Sequence, residues 1–130
     1  MGLLLKAVVH AADIQDRDGA KLVFKRMRKY FKRLKLIWAD GGYAGKLINF
    51  VNQYYHCILE IVKRSDDLKG FKVLPKRWIV ERTFSWLNKY RRLSKDYEYH
   101  TKTSETMIYI AMIHVMVRRL GRNRTRKWGY

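Results

Sequence analysis

The sequence KLIWADGGYAG at residues 35–45 joins a short apolar run to an abrupt polar turn. The apolar run, residues 35–39, predicts a buried strand because it is short and bounded by turn residues. Asp40, Gly41 and Gly42 end this strand, and the pattern after them predicts a helix over residues 44–55. The next apolar run, residues 57–63, predicts another strand. A strand, a helix and a strand in this order indicate an α/β layer with a parallel crossover.

The flanking segments continue the alternation. Residues 3–12 are predicted to form a strand or its end, and residues 20–34 a helix, since apolar side chains recur there at helical spacing. The composition of residues 64–76 predicts a loop. Further helices are predicted over residues 77–93 and 103–120, followed by a basic tail, residues 121–130. With one proline and no repeat or linker, we expect a single α/β domain over residues 1–120.

The chain is strongly basic. It has 29 Lys and Arg residues against 11 Asp and Glu residues, which leaves a net charge of +18 over 130 residues. Basic runs with at most one acidic residue cover residues 21–35, 72–95 and 118–127. Surfaces of this kind neutralise several phosphates at once, so nucleic acid is the expected partner.

Composition excludes several other classes. A single cysteine rules out a disulfide framework, and the four histidines lack the spacing of a zinc site. The apolar runs are too short to span a membrane, and Lys6 and His10 interrupt the one nearest the N-terminus, which argues against a signal peptide. We expect a cytoplasmic, nucleoid-associated protein.

Asp40 is the most informative acidic residue. It follows a predicted parallel strand, and ligand sites of open α/β sheets collect at the carboxyl ends of such strands. Asp40 is therefore a candidate catalytic residue and metal ligand. The alternative is that Asp40 only caps the next helix, as aspartate does well.

Glu81 is the second candidate. Helical spacing puts it on one polar face with Arg77, Ser85, Asn88 and Arg92, while Val80, Phe84 and Leu87 lie elsewhere and are expected to pack on the sheet. The alternative is an ordinary helix ion pair with Arg77. A strand-end carboxylate and a helix carboxylate in a basic chain suit two-metal phosphoryl transfer, although a third carboxylate is not obvious.

Two stretches, WADGGYAG (38–45) and LPKRWIVERTFSWLNKYRRLSKDYE (74–98), resemble the DDE transposases of bacterial insertion sequences. The resemblance covers about residues 3–120 and implies an RNase H-like catalytic core. It also implies Mg²⁺ or Mn²⁺ as cofactor and double-stranded DNA, from transposon ends and target, as partner. A further expected partner is either a second copy of the chain, in a homodimer, or a missing N-terminal transposase part.

The resemblance assigns roles residue by residue. Asp40 matches the second aspartate of the catalytic triad, Glu81 matches its glutamate, and Arg77 matches the arginine four positions earlier. Many relatives have a DNA-contacting lysine about two turns beyond the glutamate. Its commonest position is occupied here by Asn88, and Lys89, one position later, is the nearest lysine in the sequence. Leu74 stands where many relatives have tyrosine. The expected DNA-binding residues are Arg77, Arg82, Asn88, Lys89, Arg91 and Arg92.

The departure from the family is at the front. The family's first catalytic aspartate belongs to a strand upstream of residues 3–12, so we expect the chain to be a C-terminal portion that lacks it. Asp13, Asp16 and Asp18 are interpreted as a turn and helix cap, with a metal-binding role for one of them as the alternative.

Other reactive or aromatic residues are interpreted as structural. Cys57 lies in an apolar strand pattern typical of a core thiol. The aromatic residues on predicted helices are interpreted as core rather than base-stacking platforms: Trp78, Trp86, Tyr90 and Tyr109. Trp128, in the basic tail, is the exception and is a candidate contact for DNA or a partner subunit.

Two functions from different classes follow. One is the C-terminal catalytic portion of a transposase, with little activity alone. The other is a non-catalytic, nucleic-acid-binding remnant that keeps the basic surface. An RNA-binding protein of ribosomal type is a weaker third option, because RNA binding gives no reason for the motifs around Asp40 and Glu81.

Overall fold

The computed structural model describes residues 2–62 and 77–127, with side chains up to residue 122. Its helices and strands are α1 (Asp16–Tyr30), β1 (Leu36–Ala39), α2 (Lys46–Tyr55), β2 (Ile58–Ile61), α3 (Arg77–Asn88) and α4 (Thr101–Lys127). Short 3₁₀ turns cover Gly41–Tyr43 and Arg91–Leu93. The chain divides into two compact units. The α/β unit contains α1, β1, α2 and β2, and the helical unit contains residues 2–9 together with α3 and α4.

The sheet of the α/β unit consists of two parallel strands joined by α2. Leu36 pairs with Ile58 at one end of the ladder and Ala39 with Ile61 at the other. The predicted strand–helix–strand crossover is therefore confirmed, and the described residues form an α/β fold with a small parallel sheet. Each strand is shorter than predicted by one or more residues at its ends.

The core of the α/β unit lies between the sheet and its two helices. Leu47 and Val51 are buried one turn apart on α2, and Phe24 of α1 and Leu59 of β2 close the cluster. The opposite face of the sheet is more exposed: Leu36, Trp38 and Ile58 keep 40 to 62 % of their surface accessible. Burial of one face is what holds the two short strands together.

The bounds of α1 differ from the predicted helix at both ends. It begins at Asp16 rather than residue 20, because acidic residues in a first turn are stabilised by the helix dipole. Gly19 lies inside this helix. The His10 ring occupies the space that a Cβ would need at this position, so a residue with a side chain would clash with it. The helix ends at Tyr30 rather than residue 34, where a turn returns Leu34 to the core.

Residues 3–9 do not form the predicted strand. In the helical unit this segment packs against α4, and the Tyr109 hydroxyl both accepts from the Ala7 N–H at 2.9 Å and donates to the Ala7 carbonyl at 3.1 Å. Glu105 accepts the Val9 N–H at 3.0 Å. These helix side chains satisfy backbone groups that a strand would offer to a neighbouring strand, which explains why apolar sequence alone is misleading here.

The helical unit is held by α3 against α4. Leu87 of α3 is buried with Ala111 and Met112 of α4. Val80 and Phe84 were expected to pack on the sheet but remain 55 % and 60 % exposed. Burial of α3 is therefore concentrated at its C-terminal end.

The ends of both long helices also differ from prediction. α3 ends at Asn88 instead of residue 93, because the chain turns through the 3₁₀ segment that follows. α4 continues to Lys127, so helix covers most of the predicted tail. The predicted loop at residues 64–76 and Trp128 lie outside the described residues. No described helix has the length and hydropathy needed to cross a bilayer.

We predict that Tyr109→Phe destabilises the chain by about 1–2 kcal/mol, since it removes both hydrogen bonds to Ala7 while keeping the ring. Urea unfolding measures the change, and hydrogen exchange should show faster exchange of the Ala7 amide. Tyr99→Phe is the matched control because Tyr99 is 94 % exposed. Equal stabilities of the two variants would contradict the anchoring role of Tyr109.

Candidate functional site

Asp40 lies where the sequence places it, directly after the last residue of β1. Its side chain is exposed, and Oδ1 accepts a hydrogen bond from the Gly42 N–H at 3.0 Å. The carboxylate thus caps the 3₁₀ turn Gly41–Tyr43. It does not cap the next helix, α2, which begins after Gly45 without a side-chain cap. The capping contact uses one carboxylate oxygen, so it is compatible with a ligand on the other.

The glycines after Asp40 differ in what they do. A Cβ on Gly42 would stand 3.1 Å from Asp40 Oδ1, whereas a Cβ on Gly41 would meet no atom within 4 Å among the described residues. Gly45 has φ of 97°, a left-handed conformation that favours glycine, at the entry to α2. Gly42 therefore makes room for the carboxylate, and Gly45 sets the direction of the following helix.

The first turn of α1 contributes to the surroundings of Asp40. Arg17 Nε donates to the Gly42 carbonyl at 3.2 Å, which ties α1 to the turn. Partial burial raises the pKa of the Tyr43 phenol, and the negative charges of Asp16 and Asp40 raise this pKa further. Asp16 and Asp40 thus act on the same phenol. The sequence gives no signal for the contact of Arg17, because it joins positions 25 residues apart.

Glu81 lies on α3, and its Oε1 is 3.3 Å from Arg77 Nε. The helix ion pair that the sequence offers as the alternative is therefore present. Both side chains are more than half exposed, so solvent screening leaves the pair little weight in folding stability. The exposed Glu81 carboxylate is a chemically suitable ligand for a hard cation.

The two candidate carboxylates belong to different compact units, Asp40 to the α/β unit and Glu81 to the helical unit. Within residues 2–62 and 77–127, no three His, Cys, Asp or Glu side chains come close enough together to hold a metal ion. Carboxylate oxygens are what Mg²⁺ prefers. The described residues therefore offer individual ligands of the right chemistry but do not fit a complete magnesium site.

The six expected DNA-binding residues fall into two groups. Three are engaged locally: Arg77 with Glu81, Arg92 with Glu98, and Arg82 with two tryptophan rings. The other three lie on an exposed surface at the end of α3 and just after it, and they are Asn88, Lys89 and Arg91. Arg92 is separated from the polar face of α3 because the helix ends at Asn88.

A stack of cations and aromatic rings runs between α3 and α4. The Arg82 guanidinium lies 4.5 Å from the Trp78 ring centroid and 4.8 Å from that of Trp86. Arg119 of α4 lies 4.8 Å from the Trp86 centroid. Cation–π contacts of this kind stabilise the helix pair and place two guanidiniums beside one indole. The sequence predicts Trp78 and Trp86 as core residues, but Trp78 is 51 % exposed, and the sequence gives no sign of the arginine that stacks on each ring.

The remaining candidates have structural partners. Cys57 is buried, and its Sγ donates to the Leu34 carbonyl at 2.9 Å, which confirms the core thiol. The Tyr90 hydroxyl and His114 Nδ1 are hydrogen-bonded at 2.8 Å. Tyr90 also packs against the core of the helical unit, as predicted for an aromatic residue on this part of the chain.

We predict that Gly42→Ala leaves the chain less stable than Gly41→Ala by about 1 kcal/mol. Either change lowers the entropy of the unfolded chain, but only Gly42→Ala crowds Asp40 Oδ1 and weakens its cap. Urea unfolding of the two variants gives the difference directly. Equal stabilities, or a more stable Gly42→Ala, would show that the carboxylate does not depend on the space at Gly42.

Comparison with known proteins gives one result for the family and none for individual relatives. The family model for the transposase DDE domain matches residues 1–116. Neither a curated protein nor a solved structure matches the chain significantly. The matched residues include Asp40, Glu81 and the segments around them. The chain therefore belongs to the transposase DDE domain family.

Proposed function

We propose that the chain is the C-terminal catalytic portion of an insertion-sequence DDE transposase with an RNase H-like core. In this role it binds transposon DNA and contributes Asp40 and Glu81 as two carboxylates of the catalytic site. The observation that carries the proposal is the position of Asp40, exposed at the carboxyl end of a parallel strand in a chain of this family.

The cofactor expected with this function is Mg²⁺ or Mn²⁺. Such a cation, when bound, supplies Lewis acidity for displacement at a phosphodiester. Since the described residues do not form a complete site, we propose no metal-dependent step for this chain alone. Asp40 and Glu81 provide oxygen ligands, and a further carboxylate has to join them for strand cleavage and strand transfer.

The exposed residues Asn88, Lys89 and Arg91 are the proposed DNA contacts nearest to Glu81 along the chain. Asn88 is the last residue of α3, about two helical turns after Glu81, and Lys89 and Arg91 follow directly after the helix. Lys89 and Arg91 neutralise phosphates, and contacts of this kind position DNA without reading its sequence. Arg82 is proposed to act indirectly, since its guanidinium stacks on Trp78 and Trp86.

We predict little or no Mg²⁺-dependent nicking or strand transfer by the purified chain, because three ligating side chains are not brought together in its described part. Any such activity should fall at least 100-fold in Asp40→Asn and in Glu81→Gln. A nicking assay on supercoiled DNA, with and without Mg²⁺, measures both.

Glu60→Gln is the matched control for Asp40→Asn, since Glu60 is an exposed carboxylate of the same unit and belongs to no candidate site. Glu81→Gln should fold normally, because its exposed ion pair contributes only about 0.5 kcal/mol or less. Robust Mg²⁺-dependent nicking that survives Asp40→Asn would overturn the assignment of Asp40.

A second prediction concerns duplex DNA. Lys89→Gln combined with Arg91→Gln should weaken duplex binding and reduce the salt dependence of the binding constant by about 2 in log–log slope, at ~0.9 per phosphate contact. Fluorescence anisotropy over a salt series measures this. Lys95→Gln with Lys102→Gln removes the same charge from other exposed positions of the helical unit and should have a smaller effect.

A non-catalytic, nucleic-acid-binding remnant is the second candidate function. It is favoured by the local partners of both carboxylates, since Asp40 caps a turn and Glu81 pairs with Arg77. Duplex binding that persists while every cleavage assay remains negative, even after a polypeptide carrying the upstream family segment is added, would favour this function over the first.

A further inference from the structure

The α/β unit contains a cavity of about 670 Å³ that the proposed catalytic residues do not use. The cavity is formed by the C-terminal half of α1, by the turn after it and by residues 55–57 before β2. Its volume falls within the range of ~300–1,000 Å³ typical of ligand pockets. It lies at the amino ends of β1 and β2, whereas Asp40 follows the carboxyl end of β1.

The interior of the cavity is apolar and partly aromatic. Met27, Phe31 and Ile37 line it, and Tyr55 adds a ring that also contacts Phe24 at a centroid distance of 6.0 Å. Surfaces of this composition bind a planar apolar group by stacking and by exclusion of water.

The charged residues at the cavity are all cationic, and His56 is a further polar lining residue. Five of the lining residues are lysine or arginine and none is acidic. Arg28 is anchored, because its guanidinium donates to the Tyr54 carbonyl at 2.7 Å. The other four are exposed lysines for which no carboxylate partner occurs in the described part of the chain, and they are Lys25, Lys29, Lys32 and Lys35.

A ligand that matches both features carries negative charge outside and a flat apolar group inside. We propose that this cavity binds single-stranded DNA, with one unstacked base in the apolar interior and the flanking phosphates on the rim lysines. Duplex DNA does not satisfy the interior, because its bases are paired and stacked. The proposal deepens the proposed transposase function and rests on it for the choice of DNA as the polyanion.

The cavity and Asp40 are separated by the length of β1. Four residues of strand span about 13 Å, the length of a few nucleotides of extended backbone. A DNA strand bound at the amino ends of β1 and β2 would therefore lie on the same sheet that carries Asp40. In this arrangement the rim lysines hold a displaced or flanking DNA strand, and the chemistry takes place at the carboxyl edge of the sheet.

The test uses the full chain and fluorescein-labelled oligo-dT in anisotropy titrations over a salt series. The triple variant Lys25→Gln, Lys29→Gln, Lys32→Gln should bind at least tenfold more weakly. Its log–log salt slope should be smaller by about 2, at ~0.7 per contact for a single strand. The matched triple Lys21→Gln, Arg33→Gln, Lys46→Gln removes the same charge from the same unit outside the cavity and should lose less than threefold.

A second measurement tests the base. An oligonucleotide with one abasic position in an otherwise uniform short strand should bind at least tenfold more weakly than the intact strand. Ultraviolet cross-linking of oligo-dT that contains 4-thiothymidine should attach the base within residues 27–37 or 55–57. Circular dichroism of each variant establishes that it is folded.

Three outcomes would overturn the proposal: equal losses in the two triple variants, equal affinity for the abasic strand, or cross-links confined to other segments. Failure of the proposed function gives a different result, because the unsubstituted chain would then not bind duplex DNA. If the chain binds duplex DNA through Lys89 and Arg91 but the Lys25, Lys29, Lys32 triple variant binds oligo-dT as the unsubstituted chain does, only the present proposal fails.

Discussion

The parallel pairing of β1 with β2 is the constraint on which the α/β unit depends. Two parallel strands need a crossover, and α2 supplies it while burying Leu47 and Val51 against the sheet. Parallel pairing also gives the sheet two chemically different ends. The carboxyl ends lead into Asp40 and its capped turn, and the amino ends border the cationic cavity. One backbone arrangement therefore separates a candidate catalytic edge from a candidate strand-binding edge.

The helical unit depends on a different set of contacts. Leu87, Ala111 and Met112 form a small apolar core, and Arg82 and Arg119 extend the packing by stacking on tryptophan. These contacts orient α3, the helix that carries Glu81. The apolar residues Val80 and Phe84 stay exposed beside it. Glu81 therefore lies on a helix that packs against α4 mainly through its C-terminal end.

Positive charge in this chain has more than one role. Some cationic side chains have partners within the protein: Arg77 and Arg92 form ion pairs, Arg82 stacks on tryptophan rings, and Arg28 donates to a backbone carbonyl. Others, such as Lys25 and Lys32, are exposed around an apolar cavity. A count of basic residues predicts a polyanion partner but does not separate the two groups. Partner distances and exposure are needed to do so.

The strand–turn–helix–strand order around Asp40 can be predicted from the sequence, because apolar runs and turn residues act locally. Among the alternatives to catalytic roles, the sequence offered the Arg77–Glu81 ion pair, which is present, and a helix cap at Asp40, which the structure places on the 3₁₀ turn instead of α2. The strand predicted at residues 3–12 was wrong, since Tyr109 and Glu105 of a distant helix satisfy that backbone. The cavity beside α1 and the Arg82 stack were likewise decided only by tertiary structure. Each depends on which surfaces meet across long sequence separations, and hydrophobic spacing carries no information about that.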